Sequence, residues 1–156
     1  MHPIDAGHLR DHLVLLRPPR IAMSLVAAAA ALHLLFPFTI LPPWSLGGLL
    51  LGTAGFALMM RAWWLFRRAA TPICPTDRAR VLLTADVYGF TRNPMYLGML
   101  MMTLGFAIAS GSAPFYAAAA LLFAILNFVF CPYEETRLRA AFPDFAPYAA
   151  RVRRWI

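Results

Sequence analysis

Lysine is absent from the 156-residue chain, so all 14 basic residues are arginine, and only 13% of the sequence is charged. None of the 21 charged residues falls at positions 21–60 or 93–133. With 61% hydrophobic residues and a mean hydropathy of +0.64, this scarcity excludes an ordinary soluble domain and points to a single domain, residues 1–156, built into a membrane. Cysteine is nearly missing too. Cys74 and Cys131 both map near the inner boundary, where thiols stay reduced, which argues against a structural disulfide. There is no Walker A loop, no G-x-G-x-x-G, H-E-x-x-H or G-x-S-x-G, and no Cys/His set with metal spacing, which removes the common soluble-enzyme chemistries and gives no metal site. A net charge of +7 raises nucleic acid as a partner. The arginines cluster at helix ends rather than on a soluble basic domain, so nucleic acid is set aside.

What is present fits two apolar hairpins. Each charge-free segment is about twice the roughly 20 residues that a spanning helix needs, and each is broken once by Pro or Gly. The reading is an all-α integral membrane protein with about four transmembrane helices, at 21–41, 45–66, 94–110 and 114–131. Residues 1–20 add an interfacial helix, with Ile4, Leu9, Leu13 and Leu16 on one face, and 133–156 add a cytoplasmic helical segment. Gly48 and Gly52, and Ala27 and Ala31, have the small-xxx-small spacing of helix contacts, while Gly98, Gly105 and Ala109 are the small positions of the third span. Because all charge gathers at one end of the hairpins, the positive-inside rule puts both termini and the 67–92 connection in the cytoplasm, as expected for a multi-pass protein of an inner or plasma membrane.

The chemistry-bearing residues collect in 71–96 and 133–156. Asn93-Pro94 signals a helix start, since Asn can cap the first free N–H groups and Pro suits the first helical position. Arg92 beside it would put a cation at the positive end of the helix dipole, an anion-binding arrangement. Tyr88, Tyr96 and the acidic pair Glu134–Glu135 complete a cluster able to hold a zwitterionic, aromatic-bearing molecule. Each has a plainer reading. Glu134 and Glu135 suit a helix N-terminus, Glu135 with Arg139 is a favourable i,i+4 pair, and Arg61 can snorkel. His33 is a hydrogen-bonded neutral imidazole or a group with chemistry.

The block T-R-N-P-M-Y-L-G at 91–98, E-E-x-x-L at 134–138 and the tail F-A-P-Y-A-A-R-V-R-R-W-I resemble the isoprenylcysteine carboxyl methyltransferase family, a broad group that includes phospholipid N-methyltransferases. The likeness covers about 71–156 with the three blocks in the family's order. It implies S-adenosylmethionine as cofactor, held on the cytoplasmic side, with a lipophilic acceptor arriving from the bilayer lipids. Implied cofactor contacts are Arg80, Val81, Leu82 and Leu83, then Tyr88, Asn93, Pro94, Met95 and Tyr96, and one or both of Glu134 and Glu135. Arg92 and Tyr96 are the candidates closest to the reaction. Arg80 and Asn93 stand where the family carries His.

One departure matters. Where the resemblance expects an arginine for a substrate carboxylate, four residues before a Glu, this chain has Phe130 or Cys131. The acceptor is therefore open among a prenylcysteine-like carboxylate, a lipid amine and a small thiol. An amine or thiol must be deprotonated, and Asp86 is a candidate base whose plainer role is a turn or a salt bridge to Arg80. Two other classes fit the composition: an NADPH-dependent membrane reductase of the sterol-reductase type, and a non-catalytic membrane subunit. The oligomeric state is not written in the sequence.

Overall fold

A computed structural model describes residues 17–70 and 80–156. The described chain is helical. It holds α1 (Pro18–Leu35), α2 (Ser45–Arg68), a 3-10 turn (Asp86–Gly89), α3 (Pro94–Ser110), α4 (Ala113–Ile125), a π turn (Leu126–Phe130), α5 (Cys131–Ala141) and α6 (Phe145–Arg151). The expected interfacial helix at 1–20, apart from 17–20, lies outside the described residues, as do Cys74, Asp77 and Arg78.

Among the described residues, three helices are long and apolar enough to cross a membrane: Pro18–Leu35, Ser45–Arg68, and Ala113–Ala141. The last is continuous through the π turn. α3 has 17 residues, about 25 Å at 1.5 Å per residue, and is the shorter apolar helix of the set. Leu34, Leu35, Phe36, Leu46, Leu49, Leu50 and Phe128 are among the large apolar side chains left exposed, as lipid-facing groups are.

Several boundaries differ from the sequence reading, each for a local reason. α1 begins at Pro18 and ends at Leu35 rather than near 41, because Pro37 holds Phe36 in an extended conformation (φ −138°, ψ 85°). The helix after Ala113 does not stop at Pro132. Pro132 cannot donate to the carbonyl four residues back, and the chain absorbs the loss by widening one turn, so that the Cys131 N–H bonds to the Leu126 carbonyl five residues back.

Nor do α1 and α2 pack as a hairpin. α2 packs along α3, while α1 rests on α4 and touches α3. The α2–α3 contact is antiparallel and backbone-close: a Cβ on Gly48 would lie 2.4 Å from the Gly105 carbonyl, and one on Gly98 would lie 2.6 Å from the Gly55 carbonyl. The contact glycines recur every seven residues, 48 and 55 against 98 and 105, which is the left-handed spacing of long helices that stay in register. A Cβ on Gly52 would meet nothing within 4 Å, so the working partner of Gly48 is Gly55. Ala27 and Ala31 are exposed; Ala22 and Ala29 are the buried small residues of α1.

At the end away from the 3-10 turn, 38–44 is clipped to the α3–α4 turn. The Ile40 N–H donates to the Gly111 carbonyl (2.9 Å), the Ala113 N–H to Phe38 (2.9 Å) and the Trp44 N–H to Ile108 (2.9 Å). Gly111 makes this possible with φ +64°, where a Cβ would lie 2.0 Å from the Leu41 carbonyl. His33 lies on α1 near Phe115, ring centres 6.2 Å apart, and its Nδ1 is buried with no described partner, so the expected hydrogen bond is missing on that atom.

Candidate functional site

The opposite end of the bundle encloses a cavity of about 420 Å3, within the usual range for small-molecule sites. Its walls come from seven places: the start of α1 (Arg17, Pro18, Pro19), the end of α2 (Trp63, Phe66), 81–83, the 3-10 turn (Tyr88), the start of α3, α5 and α6. Of the residues singled out by sequence, Val81, Leu82, Leu83 and Tyr88 line it, as do Arg92, Asn93, Pro94, Met95 and Tyr96, and so do Glu134 and Glu135. Arg80 is exposed and does not. Trp63, Phe66, Met99, Leu138, Phe145 and Tyr148 also line it and were not foreseen individually. For Tyr148 the signal was the aromatic tail itself; Trp63 and Phe66 lie at the end of the second apolar span, and only the packing of α2 on α3 brings them here.

The start of α3 is the floor. Asn93 takes the N-cap position without capping: its Nδ2 donates to the Arg154 carbonyl (3.1 Å), and no side chain caps the helix. Pro94 has no N–H, and the next two amides, at Met95 and Tyr96, precede the first intrahelical bond, which runs from the Leu97 N–H to the Asn93 carbonyl (2.9 Å). Uncapped amides at the positive end of a helix favour an anion.

Charge is arranged unevenly around that floor. Arg92 donates through Nη1 to the Ala149 carbonyl (3.2 Å) and through Nη2 to Glu135 Oε1 (3.1 Å), leaving Nε buried and unpartnered among the described residues. Arg154 meets Glu135 from the other side, Nε to Oε1 at 2.8 Å and Nη2 to Oε2 at 2.9 Å. That hydrogen bond, with the Glu135 charge, raises the Arg154 pKa and keeps the guanidinium cationic. Glu135 is thus held between two arginines rather than by Arg139, whose guanidinium lies over the Phe145 ring at 5.5 Å. Glu134 is different. It accepts the Tyr96 hydroxyl, and no guanidinium of the described residues pairs with it.

Two tyrosines stay neutral. Burial, with the nearby Glu134 carboxylate, pushes the Tyr88 hydroxyl far above the phenol range. Burial also pushes Tyr148 up to about 12, and its hydroxyl donates to the Tyr88 carbonyl at 2.8 Å. The Tyr88 ring stands edge-on to Phe66, centres 5.8 Å apart, closing an aromatic wall with Trp63.

Asp86 lies outside the lining. Its carboxylate is engaged by Arg61, Nε to Oδ1 at 3.2 Å, not by Arg80, and that hydrogen bond holds its pKa below the usual carboxylate range. Its left-handed backbone (φ 61°) is one that Asp tolerates, with Oδ1 also accepting the Val87 N–H at 2.8 Å. From there it presents no base to the cavity.

Among the described residues the donor set therefore comprises uncapped amides and an unpartnered guanidinium N–H for an anionic group, a carboxylate without a counter-ion for a cationic group, and an aromatic–aliphatic wall for a flat apolar group. A zwitterionic small molecule with a flat apolar part fits it.

Comparisons with known proteins agree with a methyltransferase architecture. A family model described as phospholipid methyltransferase matches residues 44–144. Over 71 residues the chain is 36% identical to the cobalt-zinc-cadmium resistance protein CzcN of Cupriavidus metallidurans, covering 46% of this chain and 33% of that protein. The chain thus spans about a third of that relative's length. No solved structure matches it. With its α2, α3, α4 and α5 helices and much of the cavity inside the matched region, the chain belongs to the phospholipid methyltransferase family.

Proposed function

We propose that the protein transfers a methyl group from S-adenosylmethionine to a lipophilic acceptor at the cytoplasmic membrane face. The observation that carries this reading is that one cavity holds both the uncapped start of α3 with the Arg92 Nε and Glu134, the Nε without a partner and Glu134 without a guanidinium among the described residues. When bound, the cofactor supplies an electrophilic methyl on a sulfonium sulfur. The amides of Met95 and Tyr96 with Arg92 Nε suit its carboxylate, Glu134 suits a cationic centre, and Tyr88 with Leu82 and Leu83 suits the adenine. Tyr96 orients Glu134 through its hydroxyl, and the aromatic wall keeps water from the reacting groups.

Pro18, Pro19, Trp63 and Phe66 give the acceptor an apolar wall. Phe130 and Cys131 are fully buried where an arginine would be needed for an acceptor carboxylate, which favours a lipid amine or a thiol.

Titration of the purified protein with S-adenosylhomocysteine is the test. At about 100 times its dissociation constant the ligand stabilises the wild type by roughly 2.7 kcal/mol in thermal unfolding. Glu134→Gln keeps an acceptor for Tyr96, so its unliganded stability stays within about 0.5 kcal/mol of wild type while its affinity falls by about tenfold or more. Stabilisation by NADPH instead would transfer the site to the reductase class.

The orientation belongs to the same proposal, because the arginines of 61–68, 80–92 and 151–154 all lie at the cavity end. In a background free of Cys74 and Cys131, Ser45→Cys is expected to be labelled from outside and Arg151→Cys only after permeabilisation. Labelling of both from one side would refute it.

A further inference from the structure

The π turn has a chemical use that the cavity-lining residues do not reveal. Pro132 lacks the N–H that a π turn would direct at the Asn127 carbonyl, and the Cys131 N–H, its α-helical donor, has moved to Leu126. That carbonyl is therefore orphaned next to the apolar stretch, where an unmet polar group is costly. Arg154 Nη1 meets it at 3.3 Å and meets the Asn127 side-chain Oδ1 at 3.2 Å, while Trp155 Nε1 donates to the same Oδ1 at 3.0 Å.

The other side of the same short segment grips the cavity floor. The Arg92 N–H donates to the Arg153 carbonyl (3.0 Å), and the Arg154 carbonyl accepts both the Thr91 hydroxyl (3.0 Å) and Asn93 Nδ2 (3.1 Å). Residues 152–156 thus lie between the π turn and the α3 start, bonded to each.

We propose that Asn127 is a positioning residue: through Arg154 and Trp155 it latches the 152–156 segment, and this latch holds Arg92 and Asn93 where the cavity floor needs them. Its functional half rests on the cofactor reading above. Asn127 is not among the residues that line the cavity, and among the described residues its side chain acts only as an acceptor, which makes it separable from the lining by substitution.

The experiment compares wild type, Asn127→Leu and Asn127→Asp in lipid nanodiscs by amide hydrogen exchange without ligand, and by S-adenosylhomocysteine affinity. Leu removes the acceptor and Asp keeps it. Expected in Asn127→Leu are exchange faster by about tenfold in 91–96 and 152–156, unchanged exchange in α2, and affinity lower by about tenfold, the equivalent of one lost hydrogen bond. Asn127→Asp behaves as wild type in both. Should Asn127→Leu fail to fold, Trp155→Phe removes the indole N–H while keeping an aromatic ring beside Phe123, and gives the same local pattern, smaller in size. Unchanged exchange in 91–96, or a uniform rise through every helix that Asp does not rescue, would overturn the latch. Local loosening in a protein whose wild type binds no S-adenosylhomocysteine would instead leave the latch standing and remove the cofactor reading.

Discussion

Glu135→Gln is expected to destabilise the unliganded protein by about 2–4 kcal/mol, against almost nothing for the same change at its neighbour Glu134. The two carboxylates are adjacent in sequence, yet their surroundings differ. Glu135 and Arg92 side chains are each 14% exposed and Arg154 is 28% exposed, so neutralising Glu135 leaves two guanidiniums facing each other with little water to screen them. An exposed ion pair would be worth under about 1 kcal/mol; breaking a buried one costs about 3–5, and the residual exposure of Arg154 places this case just below that upper range. Thermal or denaturant unfolding of the two single variants measures the contrast. A double-mutant cycle of Glu135→Gln with Arg154→Met should recover part of the loss, because the second change removes one of the stranded charges. Equal effects at 134 and 135 would mean that the arginine bracket does not form.

The second large effect is steric. Gly105→Leu is expected to cost about 3 kcal/mol or more, since its Cβ would fall 2.7 Å from the Gly48 carbonyl and 2.9 Å from the Gly52 nitrogen, both backbone atoms that no rotamer change can move. α2 must then separate from α3, and with it go Trp63 and Phe66 from the cavity wall, so ligand binding should fall together with stability. Gly52→Ala is the control. It faces open space, and removing a helical glycine should leave stability unchanged or improve it by roughly 0.5–1 kcal/mol. If both substitutions are tolerated in unfolding measurements, the close helix contact is wrong.

Gly48 and Gly52 also show where sequence reasoning stops. Their four-residue spacing marks a place where helices can approach, and α2 does approach α3 there; which glycine makes the contact depends on the crossing geometry, and only the seven-residue repeat across two helices reveals it. The apolar segments and the start of α3 at Pro94 were legible because they depend on local chain chemistry. Bonds that span 43 to 63 positions, such as Arg92 with Glu135 and Thr91 with Arg154, leave no local trace, so the cap expected of Asn93 and the i,i+4 partner expected of Glu135 were each displaced by a tertiary competitor. Pro132 misled for a related reason. A missing N–H ends a helix only when no wider turn can absorb it.

α3 is held at both ends: at 91–93 by the 152–156 segment, and at 108–111 by the loop that precedes α2. A helix anchored twice cannot swing, and its glycine seam with α2 prevents sliding. Among the described residues that wall the cavity, the start of α1 is packed differently. Pro18 and Pro19 face the cavity, Ala22 and Ala29 are buried with Leu25 packed beside them, and α1 packs on α4 and α3 rather than on α2. If the acceptor enters from the bilayer as proposed, this is the wall it would pass, and turnover is expected to respond to lipid packing around the start of α1 while the floor stays in place.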